Sequence, residues 1–300
     1  MTEESETETH GLRHHYAIVN GIRMHYVEQG TGRLVVLLHG FPEFWYSWRK
    51  QIPALAAAGF RVVAPDQRGY NLTEKPRGVS SYDRGKLTAD VAALICHLGE
   101  SEAVIVGHDW GGGVAWAFAM DYPEMTRRLI VLNCPHPAAM VRGLRTARQL
   151  LRSWYIFFFQ IPYLPEAGFR FRSYRAIDQA FRGGAIRKDT FSDDDIRAYK
   201  EAAAQPGALT AAINWYRAAF RGGLRWTRPM PDITAPTLVI WAEADRALGK
   251  ELTYGMDRWV QNLTIKYVPN TSHWVQQEQP GLVNRYILAF LRDLVPGVQS

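Results

Sequence analysis

Ala103-Val104-Ile105-Val106-Gly107-His108-Asp109-Trp110-Gly111-Gly112-Gly113-Val114-Ala115-Trp116 joins one apolar run to another through a glycine-flanked turn. Val104 to Val106 reads as a buried strand, and Gly113 to Met120 reads as a buried helix. Small residues two positions before and two after Asp109 let the backbone bend sharply, so the central side chain projects from the top of a sheet beside a helix N-terminus. A carboxylate held there can attack carbon. The bland alternative is an aspartate that only caps the helix, favoured by free N–H groups and the helix dipole. A cap needs neither the flanking glycines nor an aromatic at the next position, and the turn reading is preferred.

Outward from this turn, short apolar runs alternate with longer helical patterns, which predicts a mostly parallel sheet covered by helices. Eight strands are expected: His14 to Val19, Ile22 to Glu28, Leu34 to Leu38, Arg61 to Ala64, Ala103 to Val106, Leu129 to Leu132, Thr237 to Trp241 and Thr264 to Val268. The first two flank Asn20-Gly21, a pair suited to a type I′ hairpin turn. Helices are expected over Phe44 to Ala58, Asp83 to Leu98, Asp109 to Tyr122, Leu248 to Val260 and Pro280 to Leu294. Between Pro137 and Pro231 the character changes to aromatic, Arg-rich helical segments broken by Gly183-Gly184, Pro206-Gly207 and Gly222-Gly223. Residues 138–230 therefore read as a helical cap inserted into a core made of 13–137 and 231–300, and 1–12 as a disordered acidic tail.

A chain of 300 residues is long enough for one α/β domain with such an insertion. No stretch is apolar for long enough to span a bilayer, the aromatic run Tyr155 to Phe159 included. The N-terminus lacks the basic and apolar regions of a signal peptide. A soluble cytoplasmic protein with no membrane partner is the expectation. Cys96 and Cys134 both lie in apolar segments and read as reduced core residues rather than a disulfide. The net charge of +6 invites a nucleic-acid reading, and residues 138–230 concentrate it, with fourteen Arg and two Lys against seven acidic residues. These arginines are scattered at helical intervals with no accompanying motif, so they read as a solvated helical surface and no nucleic-acid partner is expected. Monomer and homodimer both stay open.

Open α/β sheets hold ligands beyond the carboxyl ends of their strands. Four such places carry candidate chemistry: His39-Gly40-Phe41-Pro42-Glu43, the Asp109 turn, Ala242-Glu243-Ala244-Asp245 and Ser272-His273-Trp274. Nucleophile, acid and histidine in this order is the arrangement of α/β-hydrolases. With Asp66-Gln67-Arg68-Gly69-Tyr70-Asn71-Leu72 between them, the chain resembles the α/β-hydrolase-fold epoxide hydrolases, both soluble mammalian and bacterial, from Tyr16 to Leu294. The resemblance implies an α/β-hydrolase fold: a mostly parallel eight-stranded sheet with helices on both faces and an inserted helical cap. It implies Asp109 as nucleophile, His273 as general base and Asp245 as the acid that orients it, with Glu243 a rival acid. Tyr155, in Trp154-Tyr155-Ile156-Phe157-Phe158-Phe159-Gln160, and Tyr216, in Asn214-Trp215-Tyr216-Arg217, correspond to two ring-opening tyrosines. Tyr163 and Tyr199 are the alternatives. The backbone N–H groups of Phe41 and Trp110 correspond to the oxyanion donors, and Phe41-Pro42 to a cis peptide. Phe41, Trp110, Pro135, Phe157, Phe158, Leu164, Trp215 and Trp274 are expected to wall a pocket for a small apolar epoxide. No cofactor and no metal are implied. His39 reads as structural, and His10, His14, His15, His25, His97, His108 and His136 have no acid or metal-ligand pattern around them and read as surface or packing residues.

An epoxide is strained, but its leaving group is an alkoxide, so opening it near neutral pH needs a nucleophile and a proton donor together. The expected route is attack by Asp109 with the phenols holding the oxygen, a covalent glycol ester, hydrolysis by His273-activated water, and release of a diol. The nearest rival is a haloalkane or haloacid dehalogenase, which uses the same Asp-His-acid set to displace halide. By resemblance Phe41, Trp110 and the two tyrosines point away from it. A serine esterase would need Ser at position 109. A non-catalytic ligand sensor of the same fold would have no use for an intact Asp109, Asp245 and His273.

Overall fold

The computed structural model describes residues 8–9, 11–222 and 230–295. Its strands are β1 (Glu8–Thr9), β2 (Leu12–Val19), β3 (Ile22–Gln29), β4 (Arg33–Leu38), β5 (Phe60–Pro65), β6 (Ala103–His108), β7 (Thr126–Leu132), β8 (Thr237–Ala242) and β9 (Leu263–Val268). They form one sheet in the order β1-β2-β3-β5-β4-β6-β7-β8-β9. The β1–β2, β2–β3 and β3–β5 pairs are antiparallel, and every pair from β5–β4 to β8–β9 is parallel. All eight expected strands are present, each a residue or more longer than its apolar run. The ninth, β1, corrects the expectation of disorder across 1–12: Gly11, at φ 74°, turns the chain back so that Glu8 and Thr9 pair with Arg13 and Leu12. Residues 1–7 and 10 of that tail lie outside the described residues. At the hairpin between β2 and β3, Asn20 and Gly21 both have positive φ, as a type I′ turn requires.

The helices are α1 (Ile52–Ala57), α2 (Arg84–His97) and α3 (Trp110–Asp121), then α4 (Pro137–Gly143), α5 (Ala147–Arg152), α6 (Trp154–Phe158), α7 (Leu164–Asp178), α8 (Asp193–Ala204) and α9 (Ala208–Arg221), and finally α10 (Val275–Glu278) and α11 (Pro280–Phe290). Alternation along the central strands builds a core on each face of the sheet. Leu34, Val36 and Leu38 pack with Leu87 and Val91 of α2 and Val114 and Phe118 of α3. Val35 and Leu37 pack with Ile52 and Leu55 of α1 and Val283 and Ile287 of α11. Between β7 and β8 the described residues from Pro137 onward form α4 to α9 and the connections around them and contain no strand. A third apolar cluster, in which Phe181 and Tyr199 meet Phe44 and Trp274, fastens this insertion to the loops at the strand ends.

Two helical expectations are corrected. Phe44 to Ala58 is a short 3-10 turn, Trp45–Trp48, followed by α1, and Leu248 to Val260 is two 3-10 turns, Lys250–Thr253 and Met256–Arg258. Gly255, at φ 67°, interrupts the latter stretch in the left-handed region, where a helix cannot continue. Cys96 is exposed on α2 and not in the core, Cys134 is half-buried, and both are free thiols. Among the described residues no helix is long and apolar enough to cross a membrane.

Candidate active site

β6 ends at His108 and α3 begins at Trp110, so Asp109 alone makes the bend, at φ 49° and ψ −122°. A non-glycine residue held there stores about 1–3 kcal/mol of backbone strain. The neighbouring glycines are required by contact: a Cβ on Gly107 would overlap the Gly111 backbone, and one on Gly111 would overlap the carbonyls of Leu38 and His39. The bend aims the carboxylate at two partners. Its Oδ1 accepts the Phe41 N–H at 2.8 Å, and its Oδ2 lies 3.4 Å from His273 Nε2. The Phe41-Pro42 peptide is cis.

On the far side of the imidazole, Nδ1 of His273 lies 2.6 Å from Asp245 Oδ2. Asp245 is buried and fully engaged: Oδ1 accepts the N–H groups of Ala247 and Leu248 at 2.8 and 3.0 Å, and Oδ2 also accepts from Asn133 Nδ2 at 2.7 Å. Burial works against its charge, but His273 and these donors outweigh it and hold the carboxyl below the usual carboxylate range. Burial likewise opposes a proton on His273, yet Asp245 and Asp109 together raise its pKa well above that of a free imidazole. Glu243 pairs instead with Lys250 and takes no part.

Above Asp109 lies a cavity of about 500 Å3, lined by Asp109, Trp110, Tyr155 and Tyr216 among mostly apolar neighbours. The two phenol rings stand 6.0 Å apart between centroids. Burial first, and the charge of Asp109 second, push both phenols up from their ordinary pKa, so each remains a protonated donor. The alternatives are elsewhere: Tyr163 is exposed, and buried Tyr199 is spent on Ser47 and Gln277.

Of the expected pocket wall, only Trp110 and Pro135 line this cavity. Phe157 and Leu164 point to solvent, and Phe158 packs on Trp154 and Phe159. Trp215 turns away to donate its indole N–H to the Arg68 carbonyl, and Trp274 donates to that of Ala180. The Phe41 ring packs behind Tyr216 and contributes its backbone N–H instead. The wall is built by aliphatic residues that aromatic content did not signal: Met140, Val141 and Leu144 of the α4 stretch, with Ile156 and Leu248. Helical spacing over 140–144 was the available signal.

Other working residues also escaped the sequence. Asn133, just beyond β7, accepts the Ala242 N–H at 3.0 Å while donating to Asp245; the strand-end rule pointed at that position. His108 and His25 are corrected from unpartnered packing residues. Both ring nitrogens of His108 face acceptors, Glu43 Oε2 at 2.7 Å and the His273 carbonyl at 2.9 Å, and His25 lies 2.7 Å from Asp66. Glu43 also accepts the Gly40 N–H, and His108 first among its partners holds its carboxyl, against burial, down at about 2. One buried pair thus ties together the loops that carry Phe41, Asp109 and His273. His39 is structural as expected: it contacts the Gly40 carbonyl and accepts the Gln67 N–H. In the insertion, Arg217 binds Glu166 and the carbonyls of Phe159 and Ile161, which fixes α9 against the segment following Tyr155.

A sequence profile of the alpha/beta hydrolase fold family matches residues 33–280. The chain is 44% identical over 287 residues to the AB hydrolase superfamily protein YfhM of Bacillus subtilis, covering 94% of this chain and 99% of that one. It is 42% identical to mouse epoxide hydrolase 4, covering 91% of this chain and 77% of the relative. Among solved structures, that of the Bacillus megaterium epoxide hydrolase bound to an inhibitor superposes with a TM-score of 0.87 at 32% identity, covering 93% of this chain and all of the other. With the fold and the matched length agreeing, the chain belongs to the epoxide hydrolases of the alpha/beta hydrolase fold.

Proposed function

We propose that the protein converts an apolar epoxide to a vicinal diol through a covalent ester on Asp109. The observation that carries this reading is a carboxylate facing two protonated phenols across an apolar cavity, with an imidazole and a second carboxylate in line behind it. Oδ1 of Asp109 is occupied by the Phe41 N–H, which leaves Oδ2 to attack an epoxide carbon. As that C–O bond forms, the epoxide C–O bond breaks and its oxygen takes a proton from Tyr155 or Tyr216, giving a hydroxy ester and a phenolate.

In the second step His273 takes a proton from water, and the hydroxide attacks the carbonyl carbon of the ester. Charge then develops on the oxygen already bonded to Phe41 N–H, with Trp110 N–H as the second proposed donor; one such donor typically lowers a barrier by about 3 kcal/mol. Collapse releases the diol oxygen, which takes the proton from His273. The proton of the re-formed Asp109 carboxylic acid restores the phenol, so epoxide and water are consumed and one diol is made. The helical insertion acts as the cap that supplies both phenols and excludes bulk water.

Repeated turnover in heavy-oxygen water, followed by mass analysis of the peptide containing Asp109, tests the route. Label should enter the Asp109 carboxylate, and the first diol released should carry oxygen from the protein. An unlabelled Asp109 after many turnovers rules the ester out.

A further inference from the structure

Ten of the thirteen large apolar side chains exposed among the described residues belong to the helical insertion. Trp154 and Phe157 stand three residues apart on α6, a spacing that keeps side chains on one side, and Leu151 stands just before them near the end of α5. They are 75%, 63% and 45% exposed. The Phe157 ring lies 6.1 Å from that of Phe220 near the end of α9, which is itself 54% exposed. Phe220 also lines the cavity over Asp109, as does exposed Arg145. The apolar patch therefore runs up to the rim of the cavity. Contiguous exposed apolar surface of this kind marks an interaction face.

Its charge says what it faces. Arg145 and Arg221 are exposed and form no ion pair among the described residues, and Arg148 reaches only Glu251, at 3.6 Å. Residues 138–230 as a whole carry a net +9. A second copy docked patch to patch would set arginine against arginine. Tryptophan, phenylalanine and leucine interleaved with arginine instead suit the interfacial zone of a bilayer with anionic headgroups. A lipid surface also explains why the patch adjoins the cavity mouth, since an apolar compound could pass from lipid to cavity without crossing water.

We propose that the Leu151-Trp154-Phe157-Phe220 face seats this protein on an anionic membrane surface with the cavity mouth toward the lipid. A face that lies on a bilayer needs no spanning helix. The test is sedimentation of the full chain with vesicles of phosphatidylcholine, alone or with phosphatidylglycerol added, at low and high salt. Binding is expected only with the anionic vesicles and should weaken in high salt. The double variant Leu151→Glu/Trp154→Glu should reduce partitioning at least about tenfold, and Arg148→Glu/Arg221→Glu by roughly fivefold per unit of charge removed. All variants should keep the parent's turnover of a water-soluble epoxide, so failure here is separable from failure of the catalytic reading. A parent that stays in the supernatant with anionic vesicles at low salt overturns the proposal. So do variants that bind as the parent does, or a patch-dependent dimer in light scattering without vesicle binding.

Discussion

Replacing Tyr155 and Tyr216 by Phe probes the proposed first step, because ring opening needs a phenol proton and attack of water on the ester does not. The Tyr216 ring packs edge-on against Phe41, Trp110 and Phe159 at 5.2, 4.9 and 4.8 Å, and that of Tyr155 against Phe159 at 6.0 Å. Phenylalanine preserves all of these contacts, so each variant should fold and melt close to the parent. A preorganised donor aimed at developing charge contributes about 3 kcal/mol, or roughly 10²-fold in rate. One phenol remaining should therefore leave ester formation slowed by about two orders of magnitude, and loss of both by about four. Rapid-quench experiments that follow the mass of the Asp109 peptide read this step directly. A double variant that folds normally and still forms the ester within tenfold of the parent's rate would refute the role of the phenols.

His273→Gln should form the ester and fail to hydrolyse it, so intact-mass measurement should find the adduct accumulating; a variant with no adduct from any epoxide contradicts the division of roles. Asn133→Ala removes a donor from Asp245, leaves the buried Ala242 N–H unpaired and puts alanine at φ 43°. Thermal denaturation should register about 2–4 kcal/mol of lost stability, with ester hydrolysis slowed more than ester formation. Glu43 has a folded pKa of about 2 against 4.5 unfolded. Its stabilising contribution is thus complete above pH 4.5 and is lost as pH falls toward 2, a change on the order of 3 kcal/mol. Melting temperatures between those pH values should fall steeply in the parent and less in Glu43→Gln.

What could be read from the chain depended on how local the cause was. The bend at Asp109 was legible because Gly107 and Gly111, which permit it, are two residues away. Asp245 and His273 were legible because strand ends fix where loops emerge. Asn133 also stands just past a strand end, but its role was not legible, since it meets its partners Asp245 and Ala242 only when β7 and β8 pair. The pocket wall misled for a related reason. Within Trp154-Tyr155-Ile156-Phe157-Phe158, α6 turns Tyr155 and Ile156 to the cavity and Phe157 to solvent, and composition alone cannot separate neighbours that face opposite ways. Trp215 beside Tyr216 is the same case. The expected helix over 248–260 fell to glycine, because the apolar spacing there matched a helix while Gly255 takes a left-handed turn.

In the proposed route one imidazole must sit beside a carboxylate during the first step and act as a base during the second, and the charges around His273 reconcile these demands. Burial disfavours its protonated form, and Asp245 and Asp109 lift its pKa well above the free value. Alkylation turns Asp109 into a neutral ester and removes one of those two charges, while Asp245, held by Asn133, Ala247 and Leu248, keeps the other in place. The proton affinity of His273 in the ester is therefore lower than in the free protein, which suits the neutral imidazole that takes a proton from water in the second step. The Phe41 N–H meanwhile stays on the oxygen that becomes the ester carbonyl, so the donor for the second transition state is in position before that step begins. Hydrolysis regenerates the Asp109 carboxylate and with it the higher proton affinity of His273. In the proposed route the covalent state of residue 109 thus favours the neutral imidazole that the second step uses.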